Sequence, residues 1–129
     1  MNLLARREHS FAELVTKLSR RFTDAEKITE AVLVLRDEGL QSDQRFAEAY
    51  INSGSRRGLG PTRLRRELQM KRVSEHLIAE TFAQCDIDWV AERKRVLNKK
   101  FGQSPAEDAR SRARQARFLY QRGFEPESF

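Results

Sequence analysis

The sequence predicts an all-α protein: tandem three-helix repeats packed end to end in an elongated, curved array. Three observations lead there. Apolar residues recur three and four apart, and few β-branched residues alternate, so strands are not expected. Helix start and stop signals are dense along the chain. The same apolar series also returns. Leu14, Leu18 and Phe22 precede Ile28, Val32 and Leu35; Leu64, Leu68 and Val73 precede Ile78, Phe82 and Cys85; Leu119, Phe124 and Phe129 begin the series again. Units of about 50 residues bury little alone, so neighbours are expected to stack. The spacing divides the chain into 1–40, 41–86 and 87–129, the last short of its final helix. Phe129 would stand where Ile28 and Ile78 start a closing helix, leaving Phe118 and Phe124 uncovered or the natural chain longer.

The elements follow in order. Ser10 with Glu13 forms a capping box that opens a helix carrying Leu14, Leu18 and Phe22. Thr23 with Glu26 reads as a second box, before Ile28, Val32 and Leu35, with Gly39 as the stop. Ser42 starts a third helix with Phe46, Ala49 and Tyr50 as its stripe, running toward Arg56. Pro61 fits a first helical turn, because it lacks the N–H that would go unpaired there. Its helix carries Leu64 and Leu68. Ser74 caps the next, with Ile78, Phe82 and Cys85. Asp86 or Asp88 caps a helix with Trp89, Val96 and Leu97, which ends near Phe101-Gly102. Ser104-Pro105-Ala106-Glu107 reads as a capping box for a last helix, stopped by Gly123.

The charge is informative. There are 25 Lys and Arg against 19 Asp and Glu, a net +6. That balance points to polyanionic company, nucleic acid or an acidic protein groove before a membrane surface. It is concentrated in Ser55-Arg56-Arg57-Gly58-Leu59-Gly60-Pro61-Thr62-Arg63-Leu64-Arg65-Arg66-Glu67-Leu68. At about 100° per residue, Leu64 and Leu68 share one face. Arg63, Arg66 and Met70 fall opposite, and Arg65 and Arg72 flank the stripe. Arg56, Arg57, Arg63, Arg65, Arg66, Lys71 and Arg72 are therefore the candidate contacts to phosphates or carboxylates, both of which suit arginine forks. A helix N-terminus beside them adds to the attraction for anions. A second basic face follows Pro105: Arg110, Arg114 and Arg117, beside a row of Ala109, Ala113, Ala116 and Tyr120 whose small residues would let a helix approach. A solvated helix face is the plainer reading of the first set, and the single sign of its charge at a helix N-terminus favours a docking face over it. For the second set an interior helix with snorkelling arginines is the equal alternative.

Other chemistry finds little support. Cys85 is the single cysteine and the histidines are two, His9 and His76, so no disulfide and no metal site is expected. Cys85 and Trp89 read as core residues, His9 as a partner for a helix C-terminus, and His76 as exposed. The acids sit mostly at helix starts, where the dipole explains them. There is neither a GxxxxGK[ST] nor a GxGxxG sequence, so no nucleotide cofactor is expected. No catalytic residue is identified and no enzyme activity is expected. No apolar run reaches the roughly 20 residues of a membrane span, and a cytoplasmic monomer is expected.

Taken together, several motifs resemble the RecX regulatory proteins. They are Leu4-Ala5-Arg6-Arg7-Glu8-His9-Ser10 with Glu13-Leu14; Asp43-x-Arg45-Phe46-Ala47; Gly58-x-Gly60-Pro61-x-Arg63-Leu64-Arg65-x-Glu67-Leu68; Cys85-Asp86-Ile87-Asp88-Trp89; and Arg117-Phe118-Leu119-Tyr120-x-Arg122-Gly123-Phe124. The resemblance runs over nearly the whole chain. It implies tandem three-helix repeats. It also implies a negative regulator of the recombinase RecA, binding the RecA–DNA filament and inhibiting its growth, ATP hydrolysis and strand exchange. Recombination, DNA repair and the SOS response would be the setting. DNA, single- or double-stranded and without sequence preference, would be a secondary partner. The resemblance supplies no catalytic residues. A free-standing DNA-binding protein of helix-turn-helix type is the alternative.

Overall fold

The computed structural model describes residues 8–125. Phe129 and the motif residues before Glu8 lie outside them. The described residues form seven helices and no strand: α1 (Phe11–Ser19), α2 (Ala25–Asp37), α3 (Asp43–Arg56), α4 (Pro61–Met70), α5 (Glu75–Gln84), α6 (Trp89–Phe101) and α7 (Ala109–Arg122). The all-α expectation holds.

Contacts gather the chain into two compact units. One holds the residues up to Tyr50 with Leu68–Gln84; the other holds Ile51–Glu67 and the residues from Cys85 onward.

In the first unit α1 packs on α2. The Ser10 capping box forms as expected: the Ser10 hydroxyl accepts the Glu13 N–H, and the Glu13 carboxylate accepts the Ser10 N–H. Asp24, not Thr23, caps α2, taking the N–H groups of Glu26 and Lys27. A carboxylate at that position satisfies two orphan donors and faces the positive helix end, which a threonine hydroxyl does less well. Leu14, Ile28, Val32, Phe46, Ala47, Leu68, Val73 and Ile78 are buried. Phe22 is not in this core: α1 has already ended, and the ring is 58% exposed. Ala49 also faces solvent; Ala47 is buried in its place.

The Asp43-x-Arg45-Phe46-Ala47 motif is structural. Asp43 accepts the Phe11 N–H at 2.8 Å and the Gln41 amide at 2.9 Å. Arg45 donates to the Gly39 carbonyl at 2.7 Å and pairs with Glu8 at 3.2 Å. The start of α3 is thereby tied to the start of α1 and the end of α2. His9 is buried, with its Nε2 2.9 Å from Lys17 Nζ in the last turn of α1. The preceding helix whose end it was expected to serve lies outside the described residues.

In the second unit α6 packs on α7 around Val96, Leu119 and Phe124, with Trp89, Leu97 and Phe118 against them. Phe124 is fully buried, contrary to the expectation that it would lack cover. Asp88 caps α6, accepting the Ala91 N–H. The box at Ser104 does not form. α7 starts at Ala109, capped by Asp108, whose carboxylate accepts the Ser111 N–H at 2.6 Å. Pro105 therefore lies in the connection before α7 rather than in its first turn. The alanine row of α7 is no packing face either: Ala109 and Ala113 are exposed and Tyr120 is 64% exposed, while Leu119 is the buried residue. Cys85 follows α5 and is half-buried.

Four helices end in the same way. After α2, α3, α4 and α7 the chain takes a left-handed turn at Gly39, Gly58, Arg72 and Gly123. In each case the next residue's N–H reaches a carbonyl five back: Leu40 to Leu35, Leu59 to Gly54, Val73 to Leu68 and Phe124 to Leu119. This is the Schellman ending, which satisfies carbonyls that the helix leaves open. Glycine adopts it without a Cβ penalty; Arg72 does not.

Candidate functional site: a basic turn and cleft

The Gly58–Pro61 turn positions the basic residues. Gly58, at φ +85°, ends α3. Gly54 permits the Leu64 side chain to lie directly against the α3 backbone, where any Cβ would collide with it. Gly60 then meets the end of α7. Its N–H donates to the Arg122 carbonyl at 2.6 Å, and the Thr62 N–H donates to the Gly123 carbonyl at 3.1 Å. A Cβ on Gly60 would stand 2.5 Å from the Gly123 carbonyl oxygen. Pro61 has no N–H to place. The helix N-terminus that the sequence offers to an anion is thus occupied by two carbonyl oxygens of the protein itself.

What remains for a ligand is the side chains. Arg56, Arg57, Arg65 and Arg66 are exposed, and Met70, beyond them on α4, is 77% exposed. No carboxylate among the described residues is paired with Arg56, Arg57 or Arg66. Arg63 is engaged: it pairs with Glu67 at 3.0 Å and donates to the Gln121 carbonyl at 3.4 Å. Its stem also lies against Gly123. In the first unit Lys71 is half-buried, paired with Glu13 at 3.1 Å and 5.7 Å from the Tyr50 ring centre. Arg72 is exposed in its left-handed turn. Arg110, Arg114 and Arg117 are exposed along α7.

Within the second unit Arg56 and Arg57 line a cleft of about 300 Å³ together with Arg95, Lys99, Lys100 and Arg122. Gly58, Val96 and Phe118 complete its wall, and no carboxylate among the described residues lines it. Arg122 is held in place: its guanidinium lies 5.2 Å from the Phe118 ring centre and donates to the Arg57 carbonyl at 3.5 Å. Lys100 Nζ is 5.9 Å from the same ring centre, and Phe101 meets Phe118 edge to face at 5.4 Å. Arg95 donates to the Ser55 carbonyl at 3.1 Å and pairs with Glu92 at 2.8 Å. Sequence reasoning missed four of these six cations. Arg95 and Lys99 one turn apart, with Lys100 beside them, were the available signal.

The geometry defines an all-α repeat protein whose exposed chemistry is cationic. Residues 42–81 match the family model "RecX, second three-helix domain", and residues 94–128 match "RecX, third three-helix domain". The chain is 40% identical over 124 residues to "Regulatory protein RecX" of Halorhodospira halophila, covering 96% of this chain and 77% of that protein. Against "Regulatory protein RecX" of Pseudomonas entomophila the identity is 41% over 127 residues, covering 98% and 82%. A solved crystal structure of regulatory protein RecX superposes with a TM-score of 0.79 at 21% identity, over 96% of this chain and 63% of that chain. The chain belongs to the RecX family.

Proposed function

We propose that this protein is a negative regulator of RecA. It binds the filament that RecA forms on DNA and restrains filament growth, ATP hydrolysis and strand exchange. Recombination, DNA repair and the SOS response are the setting, and the protein acts as a cytoplasmic monomer without catalysing a reaction of its own. Membership of the RecX family supports the class of regulator. The observation that carries the mode of action is the set of exposed arginines around the α3–α4 turn, with Arg56, Arg57 and Arg66 unpaired with any described carboxylate. Such side chains gain most from a partner that brings carboxylates or phosphates. Repeats at 1–40, 41–86 and 87–129 would let one molecule bridge neighbouring RecA protomers, blocking subunit addition or the shifts that accompany ATP turnover.

Titrating the protein into RecA hydrolysing ATP on single-stranded DNA tests this. The wild type should inhibit. An Arg57→Glu/Arg66→Glu variant with an unchanged helical signal should lose most of that inhibition. Full inhibition by the folded variant overturns the assignment of the arginines; no inhibition by the wild type overturns the function.

A further inference from the structure

We propose that the cleft between the α3 ending, α6 and α7 is a phosphate site, and that its ligand is a nucleic-acid strand passing through it. The cations come from three separated stretches of sequence: Arg56 and Arg57, then Arg95, Lys99 and Lys100, then Arg122. Among the described residues, only Arg95 of this set has an acidic partner, Glu92. Placing this much like charge around a concave surface is unfavourable unless counter-charge arrives from outside. A single carboxylate offers two oxygens and one charge. A run of phosphodiesters offers more acceptors and a charge at every step, which matches a cleft ringed by cations.

The aromatic residue sharpens the assignment. Phe118 packs against the second unit's core, and its ring holds Arg122 and Lys100 near the cleft. Cation–π contact and the Arg57 carbonyl fix the Arg122 fork before any ligand is present. With the ring engaged by protein cations, the cleft offers backbone recognition rather than base stacking, so no sequence preference follows. The hollow lined by Arg63, Arg66, Tyr120, Gln121 and Glu125 is different. It has mixed charge and an exposed phenol ring, unlike a phosphate channel.

The proposal deepens the DNA part of the reading above and rests on it, but its test contains no recombinase, so the two fail separately. Fluorescence anisotropy of a labelled oligothymidylate is titrated with wild type and with Lys99→Glu/Lys100→Glu, across a salt series. Both lysines are exposed, and circular dichroism checks the fold of the variant. The variant should bind about tenfold or more weakly. Its log–log salt slope should be shallower by about 1.4, two contacts at roughly 0.7 each on a single strand. A Lys99→Gln/Lys100→Gln pair should fall between and serves if the reversed pair does not fold. Inorganic pyrophosphate at matched ionic strength separates the sources of phosphate. Failure to compete supports a strand; competition at micromolar concentration keeps the phosphate site and overturns the strand as its ligand. No binding of either probe, or equal affinity and slope for wild type and variant, overturns the site.

Discussion

Gly60 and Gly123 meet backbone to backbone, 63 positions apart in the chain, with the Gly60 N–H on the Arg122 carbonyl and the Thr62 N–H on the Gly123 carbonyl. One glycine is needed because the approach leaves no room for a Cβ, the other because its backbone is left-handed at φ +97° as well. The contact fixes the start of α4 and the end of α7 at once, and with them Arg63 and Arg122.

Gly123→Ala should therefore destabilise the protein by about 2 kcal/mol or more, from the left-handed backbone and from collision with Arg63. Gly39→Ala shares the positive φ but meets nothing within 4 Å, and should cost about 1 kcal/mol. Urea melts of the two variants give the comparison; equal losses would show that close packing at Gly123 adds nothing.

Arg72→Gly should stabilise the fold. Arg72 holds φ +61° at a helix ending where the other three examples have glycine. Relief of that strain is worth about 1 kcal/mol, a rise of a few degrees in Tm. A Tm unchanged or lowered would show that the arginine side chain contributes as much as the strain costs.

Lys71 should matter for stability as well as for any ligand. Its pair with Glu13 is half-buried and joins two elements distant in sequence. A double-mutant cycle with Lys71→Ala and Glu13→Gln should show a coupling of about 0.5–1 kcal/mol. Glu13→Gln is the gentler choice because Glu13 also completes the Ser10 capping box.

Acid should loosen the first turn of α7 through Asp108. The Ser111 backbone N–H, then its hydroxyl, hold the Asp108 carboxyl below its usual range against a small opposing effect of burial, and Arg114 adds to the lowering. Its folded pKa is thus below its unfolded one. The capping contribution is present above the ordinary aspartate range and is lost as pH falls through the depressed value. The Ser111 amide resonance, followed by NMR from neutral pH downward, should shift only below the ordinary aspartate pKa. Asp108→Ala should abolish the transition.

Local signals were the most legible part of this fold. Ser10, Pro61, Gly39 and Gly123 act over three to five residues, and sequence alone placed them; for α6 it offered Asp86 or Asp88, and Asp88 is the cap. Where Thr23 and Ser104 read as caps, a carboxylate one or four residues further on, Asp24 or Asp108, caps the helix instead. Motif positions were visible without their roles. Asp43 and Arg45 turned out to anchor α1 and α2. Gly60 carries no local sign of its role as a close backbone contact, because its partner lies far along the chain. The basic cleft was half visible for the same reason: Arg56 and Arg57 stand out in sequence, but their convergence with Lys99, Lys100 and Arg122 is a tertiary event.

The distant capping of α4 also bears on biosynthesis. Chains leave the ribosome at about 5–20 residues per second, so the turn at Gly60 precedes the Arg122 carbonyl by several seconds. Throughout that delay the opening of α4 lacks its final acceptors, and its arginines stand clear amid the polyanions of the translation machinery. Nascent chains halted before α7 should accordingly remain protease-sensitive around Gly60, whereas release of Phe124 would close the unit in one step.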